Sequence, residues 1–180
     1  MDDFLPDLVL VATPNPRALK LQLPPGSYPS GAFWADDAHL VAGYPLLEAL
    51  FTYPALEGLY LAEGFLTLLF MPGTEAQLVG AELRNLALTH WPTQGLPALP
   101  PPNRLQGEVS GRAEFFRTRI LPATHHDGGG LYLLEDRGTE LTLEALGACR
   151  GCPYAPETVE KGILTPLRAQ YPDLLRVFVQ

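Results

Sequence analysis

The stretch that decides the fold is Gly147-Ala148-Cys149-Arg150-Gly151-Cys152-Pro153, which holds both cysteines of a 180-residue chain. Two thiolates separated by two residues can bend round one centre: a metal ion, an iron of a cluster, or each other as a disulfide. Arg150 between them, and a helix predicted to start just after them, are expected to favour the thiolate form. Glycine and proline around the pair argue against two buried apolar side chains. The stretch is therefore predicted to be a chemical site.

The composition of the whole chain fits a globular protein of one or two domains. Hydrophobic residues make up 47% of the sequence, and two cysteines cannot staple a chain of this length as a secreted disulfide scaffold. The opening Met1-Asp2-Asp3 is acidic where a leader peptide would be basic. The longest apolar run, Leu59 to Met71, is too short for a membrane span and is interrupted by Glu63-Gly64. We therefore expect a cytoplasmic protein with no membrane partner.

The charge of the chain excludes one class of partner. The net charge is −8, and residues 1–91 carry three basic and ten acidic side chains, against eight and ten in residues 108–180. Neither segment has the basic patch that nucleic acid requires. We expect no nucleic-acid partner.

Residues 1–91 show the pattern of a small unit of strands and helices. The predicted elements, in order, are strands at 8–11 and 18–23, a short helix at 44–51, a hairpin of 59–61 and 65–70, and a helix at 74–91. His39 and His90 are isolated, and no set of catalytic side chains is evident.

The opening of this unit resembles a known family. Thr13-Pro14-Asn15-Pro16, followed by Leu19-Lys20, resembles the T-P-N-P-x-x-L-K opening of the Nfu N-terminal domain. The predicted order of elements also resembles that domain over about residues 8–91. Such domains are not known to hold the metal themselves, so the resemblance implies a role in partner recognition or support.

A proline-rich segment follows, from Pro92 to Gln106. Such a segment is predicted to stay extended as a semi-stiff spacer. The predicted organisation is therefore a domain at 1–91, a linker at 92–107 and a second domain at 108–180. Because each domain has its own apolar pattern, we expect them to fold independently.

Residues 108–180 are predicted to form a small α/β unit with a three-stranded sheet. Its elements are a helix at 108–120 ended by Pro122, strands at 131–135 and 140–146, a helix at 156–169 and a strand at 174–179. Pro166 lies inside the second helix, and Gly162 four residues earlier leaves the backbone free to adjust. We expect a kink there and not a break.

His125 and His126, beside Asp127, are the other candidate metal ligands. Adjacent side chains in an extended turn usually diverge, and exposed loop histidines are common, so the cysteines are the favoured ligands. Gly128 to Gly130 are not followed by the G-K-[ST] end of a phosphate-binding loop, and a tight turn explains them better.

This second unit resembles the C-terminal domain of NifU, which is the cluster-bearing domain of the Nfu family. The residues that carry the resemblance are, in chain order, Pro122, Asp127-Gly128-Gly129, the stretch Leu146 to Pro153, Thr158, Lys161-Gly162-Ile163 and Pro172. Gly130 stands where the family usually has an acidic residue, and Pro166 is atypical. The resemblance implies an α/β (α+β) protein, with a Nfu-type sheet and helices followed by a NifU-type three-stranded sheet with two helices and the CxxC loop.

The resemblance also implies a non-enzymatic iron–sulfur cluster scaffold or carrier. Its partners would be an upstream assembly scaffold and apo iron–sulfur proteins that accept the cluster. A 4Fe–4S cluster needs four ligands, and one chain offers Cys149 and Cys152, so the simplest closure is a homodimer with the cluster on its two-fold axis. The sequence leaves 2Fe–2S open as the cluster type. Two other functions stay open as well: a dithiol–disulfide oxidoreductase and a zinc-bridged structural dimer.

Overall fold

A computed structural model of the chain describes residues 7–104, 111–153 and 158–180. Within these ranges the chain forms a five-stranded sheet and a three-stranded sheet, each accompanied by helices. The predicted mixture of α and β structure in two small units is confirmed. No helix in these ranges is both long enough and apolar enough to cross a membrane.

The first sheet is antiparallel throughout and has the strand order β1-β2-β5-β4-β3. Its strands are β1 Leu10–Ala12, β2 Ala18–Gln22, β3 Ala32–Ala35, β4 Leu56–Ala62 and β5 Phe65–Phe70. Its helices are a 3-10 turn at Ala38–Val41, α1 at Pro45–Phe51, and a 3-10 turn at Ala76–Val79 that leads into α2 at Gly80–Thr89. The predicted hairpin, short helix and closing helix are confirmed.

Strand β3 is the element of the first unit that the sequence pattern did not predict. Its four residues, Ala32–Ala35, are all buried, so they show no alternation of apolar and polar side chains. A strand of this length carries no readable period. The strand forms because it pairs with β4, which is distant in sequence.

The described part of the proline-rich linker has no helix, and its end is hydrogen-bonded to both units. Residues 92–104 contain no helix, but the Asn103 side chain exchanges two hydrogen bonds with the backbone of Trp34, at 2.9 and 2.8 Å. Arg104 then donates two hydrogen bonds to the carboxylate of Glu144 in the second unit, at 2.7 and 3.0 Å. The linker therefore ties the two units together. The domain boundaries themselves stay a prediction.

The second sheet has the order β6-β7-β8, with β6 and β7 antiparallel and β7 and β8 parallel. Its strands are β6 Gly129–Asp136, β7 Glu140–Gly147 and β8 Arg176–Val179. Helix α3 comprises Ala113–Phe115, a π-helical segment Phe116–Ile120, and Leu121–His126. Helix α4 comprises a π-helical segment Thr158–Leu164 and Thr165–Gln170. The predicted positions 108–110 and 156–157 lie outside the described residues.

Pro122 and Pro166 both lie within helices of the second unit. The prediction that Pro122 ends α3 is wrong, because the helix continues to His126, with Pro122 directly after the change from π- to α-helical geometry at Leu121. His125 and His126 therefore end a helix and do not lie in an extended turn. At Pro166 the chain stays helical, as expected, and the geometry changes from π to α at Thr165, directly before the proline.

A buried cluster joins the two units. Its members from the first unit include Trp34, Tyr60 and Phe65, and its members from the second unit are Leu121, Tyr132, Leu146 and Ala148. Each unit also has a core of its own. Separating the units would expose this shared apolar surface to water, which works against the expected independent folding.

Candidate metal centre

Cys149 and Cys152 lie on the turn that follows β7. Gly147 and Gly151 have φ angles of 58° and 62°, a region that glycine adopts without strain. The backbone N–H of Cys149 donates to the carbonyl of Leu146 at 3.2 Å, and the N–H of Arg150 donates to the carbonyl of Gly147 at 3.1 Å. The turn therefore presents both free, half-buried thiols from one short, hydrogen-bonded segment.

Both thiols line one small cavity of about 90 Å³. The second unit contributes Asp127, Leu131 and Val159 to its walls, and the first unit contributes Pro14 and Asn15. Residues from the T-P-N-P motif thus lie beside the cysteines, although they are more than a hundred positions away in the sequence. The cavity is built by both units.

Burial, together with the nearby Cys152 and Asp127, raises the pKa of the Cys149 thiol to about 12. Without a bound metal, Cys149 is therefore protonated at neutral pH. The expectation that Arg150 would favour the thiolate is not met at Cys149. The Arg150 guanidinium is directed at the first unit, with Nε 3.7 Å from Oε1 of Glu57 and Cζ 5.5 Å from the ring centroid of Trp34. The helix start predicted just after Pro153 lies outside the described residues.

Asn15 makes the most direct contact between the first unit and the cysteine turn. Its side chain is fully buried, and Nδ2 donates hydrogen bonds to the carbonyl oxygens of Ala148 at 3.0 Å and Arg150 at 3.1 Å. Its Oδ1 accepts a hydrogen bond from the backbone N–H of Arg17 at 3.0 Å. Sequence reasoning gave this residue no role of its own. The sequence carried no signal for it, because the burial of Asn15 and its distant partners are visible only in the folded chain.

The two candidate histidines are not brought to the thiols. Nε2 of His125 lies 3.0 Å from the hydroxyl of Tyr60, which lies 2.8 Å from the hydroxyl of Tyr132. Burial, together with the nearby Lys20 ammonium, lowers the pKa of His125 to about 4. His126 is exposed. Across residues 7–104, 111–153 and 158–180, no group of three or more His, Cys, Asp or Glu side chains could hold a metal ion.

The packing of Tyr60 explains why glycine occupies position 130. A Cβ atom on Gly130 would lie 2.7 Å from Cε2 of Tyr132 and 3.0 Å from Cζ of Tyr60, and closer still to the Tyr60 hydroxyl. A Cβ atom on Gly147 would lie 2.7 Å from Cδ1 of Tyr60. The two glycines, on neighbouring strands β6 and β7, leave the space that the Tyr60 ring fills. An acidic side chain at position 130 would not fit beside it.

Parts of this chain are similar to known proteins. Residues 113–178 match the family described as NifU-like domain. A solved structure of a NifU-like protein from Saccharomyces cerevisiae matches 49% of this chain and 81% of its own, with 20% identity and a TM-score of 0.42.

Curated relatives extend the similarity over both units. The NFU1 iron-sulfur cluster scaffold homolog, mitochondrial, of Drosophila simulans is 27% identical over 90% of this chain and 60% of its own length. A NifU-like protein of Schizosaccharomyces pombe is 25% identical over 92% of this chain and 69% of its own length. The chain thus spans about 60% of the length of the first of these relatives. The resemblance of this chain to the Nfu/NifU family is confirmed.

Proposed function

We propose that this protein is a non-enzymatic scaffold or carrier in iron–sulfur cluster assembly, with Cys149 and Cys152 as its cluster ligands. The observation that carries the proposal is that the two cysteines of the chain lie on one turn, at the end of β7, in a NifU-like domain. The names of the curated relatives, which describe iron–sulfur scaffolds, support it. The cluster is cargo that the chain holds and releases.

A second copy of the chain completes the proposed ligand set. A 4Fe–4S cluster needs four protein ligands, and the described residues of one chain offer no further ligand beside the two thiols. A homodimer supplies four thiolates round one two-fold axis. Two exposed apolar side chains on β8 favour such a contact. Val179 lines the thiol cavity and is 41% exposed, and Phe178 is 49% exposed. Four thiolates can hold either a 2Fe–2S or a 4Fe–4S cluster, and 4Fe–4S is the type that we propose.

The chemistry of the thiols fits a site that loads and unloads. Cys149 is protonated in the metal-free chain, so loading must remove its proton, and the bound iron supplies the compensating charge. A cluster held between two chains opens when the chains part. Thiolates of an acceptor protein can then replace the four ligands one at a time. The proposed partners are therefore an upstream assembly scaffold that supplies clusters and apo iron–sulfur proteins that receive them.

One alternative fits the site less well. A dithiol–disulfide oxidoreductase needs an attacking thiol with a lowered pKa, whereas burial raises the pKa of Cys149 to about 12. A zinc-bridged dimer would use the same four thiolates, and metal analysis separates it from a cluster carrier.

The predicted cytoplasmic location stays a prediction, and the Drosophila relatives carry the word mitochondrial in their names.

Anaerobic reconstitution with iron and sulfide, followed by transfer, tests the proposal. The visible spectrum together with iron and sulfide analysis should show a cluster, whereas a zinc protein stays colourless. The holo-protein is then mixed with an apo 4Fe–4S enzyme while a chelator traps free iron. We expect the enzyme to regain activity faster than with free iron and sulfide. Recovery only as fast as the cluster decomposes would contradict a carrier role.

A further inference from the structure

The Asn15 amide bridges two carbonyl groups that flank the first thiol. Its two hydrogens go to the carbonyl oxygens of Ala148 and Arg150, the residues on either side of Cys149. The amide therefore fixes the peptide groups before and after the cysteine. Asn15 belongs to the first unit and lies 133 positions before Ala148.

The T-P-N-P turn holds Asn15 itself in place. The Thr13 hydroxyl donates to the carbonyl of Asn15 at 2.8 Å and to that of Ala18 at 3.0 Å. The N–H of Ala18 donates to the carbonyl of Asn15 at 2.9 Å. Pro14 and Pro16 fix their own backbone φ angles on both sides. These contacts fix the backbone of Asn15, and the hydrogen bond from the Arg17 N–H to Oδ1 orients its side-chain amide.

The first unit also contacts the side chain of Arg150, which follows Cys149 on the cysteine turn. The Glu57 carboxylate lies between two guanidinium groups, since it pairs with Arg17 and lies 3.7 Å from Nε of Arg150. The ring of Trp34 lies under the Arg150 guanidinium. Two independent sets of contacts, one to the backbone and one to a side chain, therefore connect the first unit to the same turn.

Further contacts cross the joint between the two units, which is the region where Tyr60 and Thr67 of the first unit meet the second. Tyr60 fills the space left by Gly130 and Gly147, and its hydroxyl is hydrogen-bonded to two residues of the second unit. The Thr67 hydroxyl donates to the carbonyl of Gly128 at 2.6 Å. Gly128 in turn accepts a hydrogen bond from the N–H of Ala148, at 3.1 Å, on the cysteine turn. Displacing the first unit would therefore disturb the turn at several atoms.

We propose that Asn15 is a positioning residue of the thiol site, which makes the T-P-N-P turn a structural part of the cluster-binding centre. The first unit is then not only a recognition module attached by a linker. For the cluster, this inference rests on the proposed function. For the geometry of the two thiols in the metal-free chain, it stands without it.

The first test measures thiol accessibility in the full, metal-free chain. Asn15→Ala removes both donors without adding charge, and Asn103→Ala and Asn85→Ala are the matched controls. Asn103 holds the linker to Trp34 and so reports a general loss of packing, and Asn85 is an exposed residue on α2. The rate at which iodoacetamide alkylates Cys149 is followed by peptide mass spectrometry. Because two net hydrogen bonds are lost, we expect about a tenfold or larger increase for Asn15→Ala alone.

The second test measures how firmly a reconstituted cluster is held. A chelator is added to the full-length holo-protein, and the loss of visible absorbance is timed. We expect a half-life about tenfold shorter for Asn15→Ala and an unchanged half-life for both controls. If the wild-type chain takes up no cluster, the proposed function fails, while the alkylation rates still decide the role of Asn15.

Three outcomes would overturn the inference. One is an alkylation rate for folded Asn15→Ala within twofold of the wild-type rate. Another is an equal increase in Asn103→Ala, which would show a general effect of packing. If Asn15→Ala does not fold, Asn15→Ser takes its place, because its shorter side chain cannot reach both carbonyls but keeps a polar group. If neither variant folds, Asn15 is required for the fold and the positioning role is withdrawn.

Discussion

Replacing His125 should remove an acid-sensitive part of the protein's stability. His125 lies between the units, with its ring 3.0 Å from the Tyr60 hydroxyl and the Lys20 ammonium close by. Burial lowers its pKa from 6.5 to about 4. Between these two values the unfolded chain binds a proton that the folded chain does not. Stability is therefore complete above the unfolded pKa and falls as the pH falls toward 4.

The size of this effect follows from the two pKa values. Lowering the pH from 7 to 5 should cost the wild-type protein about 2 kcal/mol of unfolding free energy through His125 alone. Urea denaturation at the two pH values measures it, with His125→Gln as the test and His126→Gln as the control. His126 is the next residue along the chain, and it is exposed. The comparison uses the change with pH, so a constant loss from the missing Tyr60 contact cancels.

We expect His125→Gln to lose about 2 kcal/mol less than the wild type on acidification, because it has no buried imidazole to protonate. His126→Gln should keep the wild-type pH dependence. Equal pH dependence in wild type and His125→Gln would refute the reasoning, since it would mean that His125 is solvated or that the joint is open in solution.

Three further predictions concern the thiols, the joint and the assembly. Cys149→Ser and Cys152→Ser should each abolish the visible cluster spectrum and leave the circular dichroism unchanged. The control His126→Ser should keep the cluster spectrum. A single cysteine variant that still binds the full amount of iron would contradict the ligand assignment. Gly130→Ala should destabilise the chain by about 1–3 kcal/mol through overpacking against Tyr60. The control is Gly111→Ala, because a Cβ at Gly111 meets no atom of the described residues within 4 Å, and equal urea midpoints would show that the contact of Tyr60 with Gly130 is not packed as described. Removing the cluster with a chelator should shift sedimentation from dimer toward monomer, and monomeric holo-protein would exclude a shared site.

Local patterns in the sequence predicted the parts of the fold that depend on neighbouring residues. The hairpin of β4 and β5, helix α1 and the cysteine turn after β7 follow from hydrophobic period, proline position and glycine. The sequence also singled out the two cysteines that we propose as cluster ligands, because one C-x-x-C is visible without a structure. That assignment stays a prediction until a metal is bound.

The remaining features depend on contacts between distant residues, and no local pattern encodes them. Strand β3 exists because β4 pairs with it, and Asn15 meets the cysteine turn only after both units have folded. Gly130 reads as an ordinary turn residue until Tyr60 is placed against it. The raised pKa of Cys149 could not be predicted from the sequence either. Arg150 is its neighbour in the chain, but the Arg150 guanidinium lies beside Glu57 of the first unit.

Native mass spectrometry of the anaerobically reconstituted protein tests the central claim most directly. It weighs the intact assembly together with its cargo, so it reports metal identity, sulfide content and the number of chains at once. We predict one 4Fe–4S cluster per two chains, found on dimers and not on single chains. A cluster carried by a single chain, or a dimer that holds zinc and no sulfide, would contradict the shared site of Cys149 and Cys152.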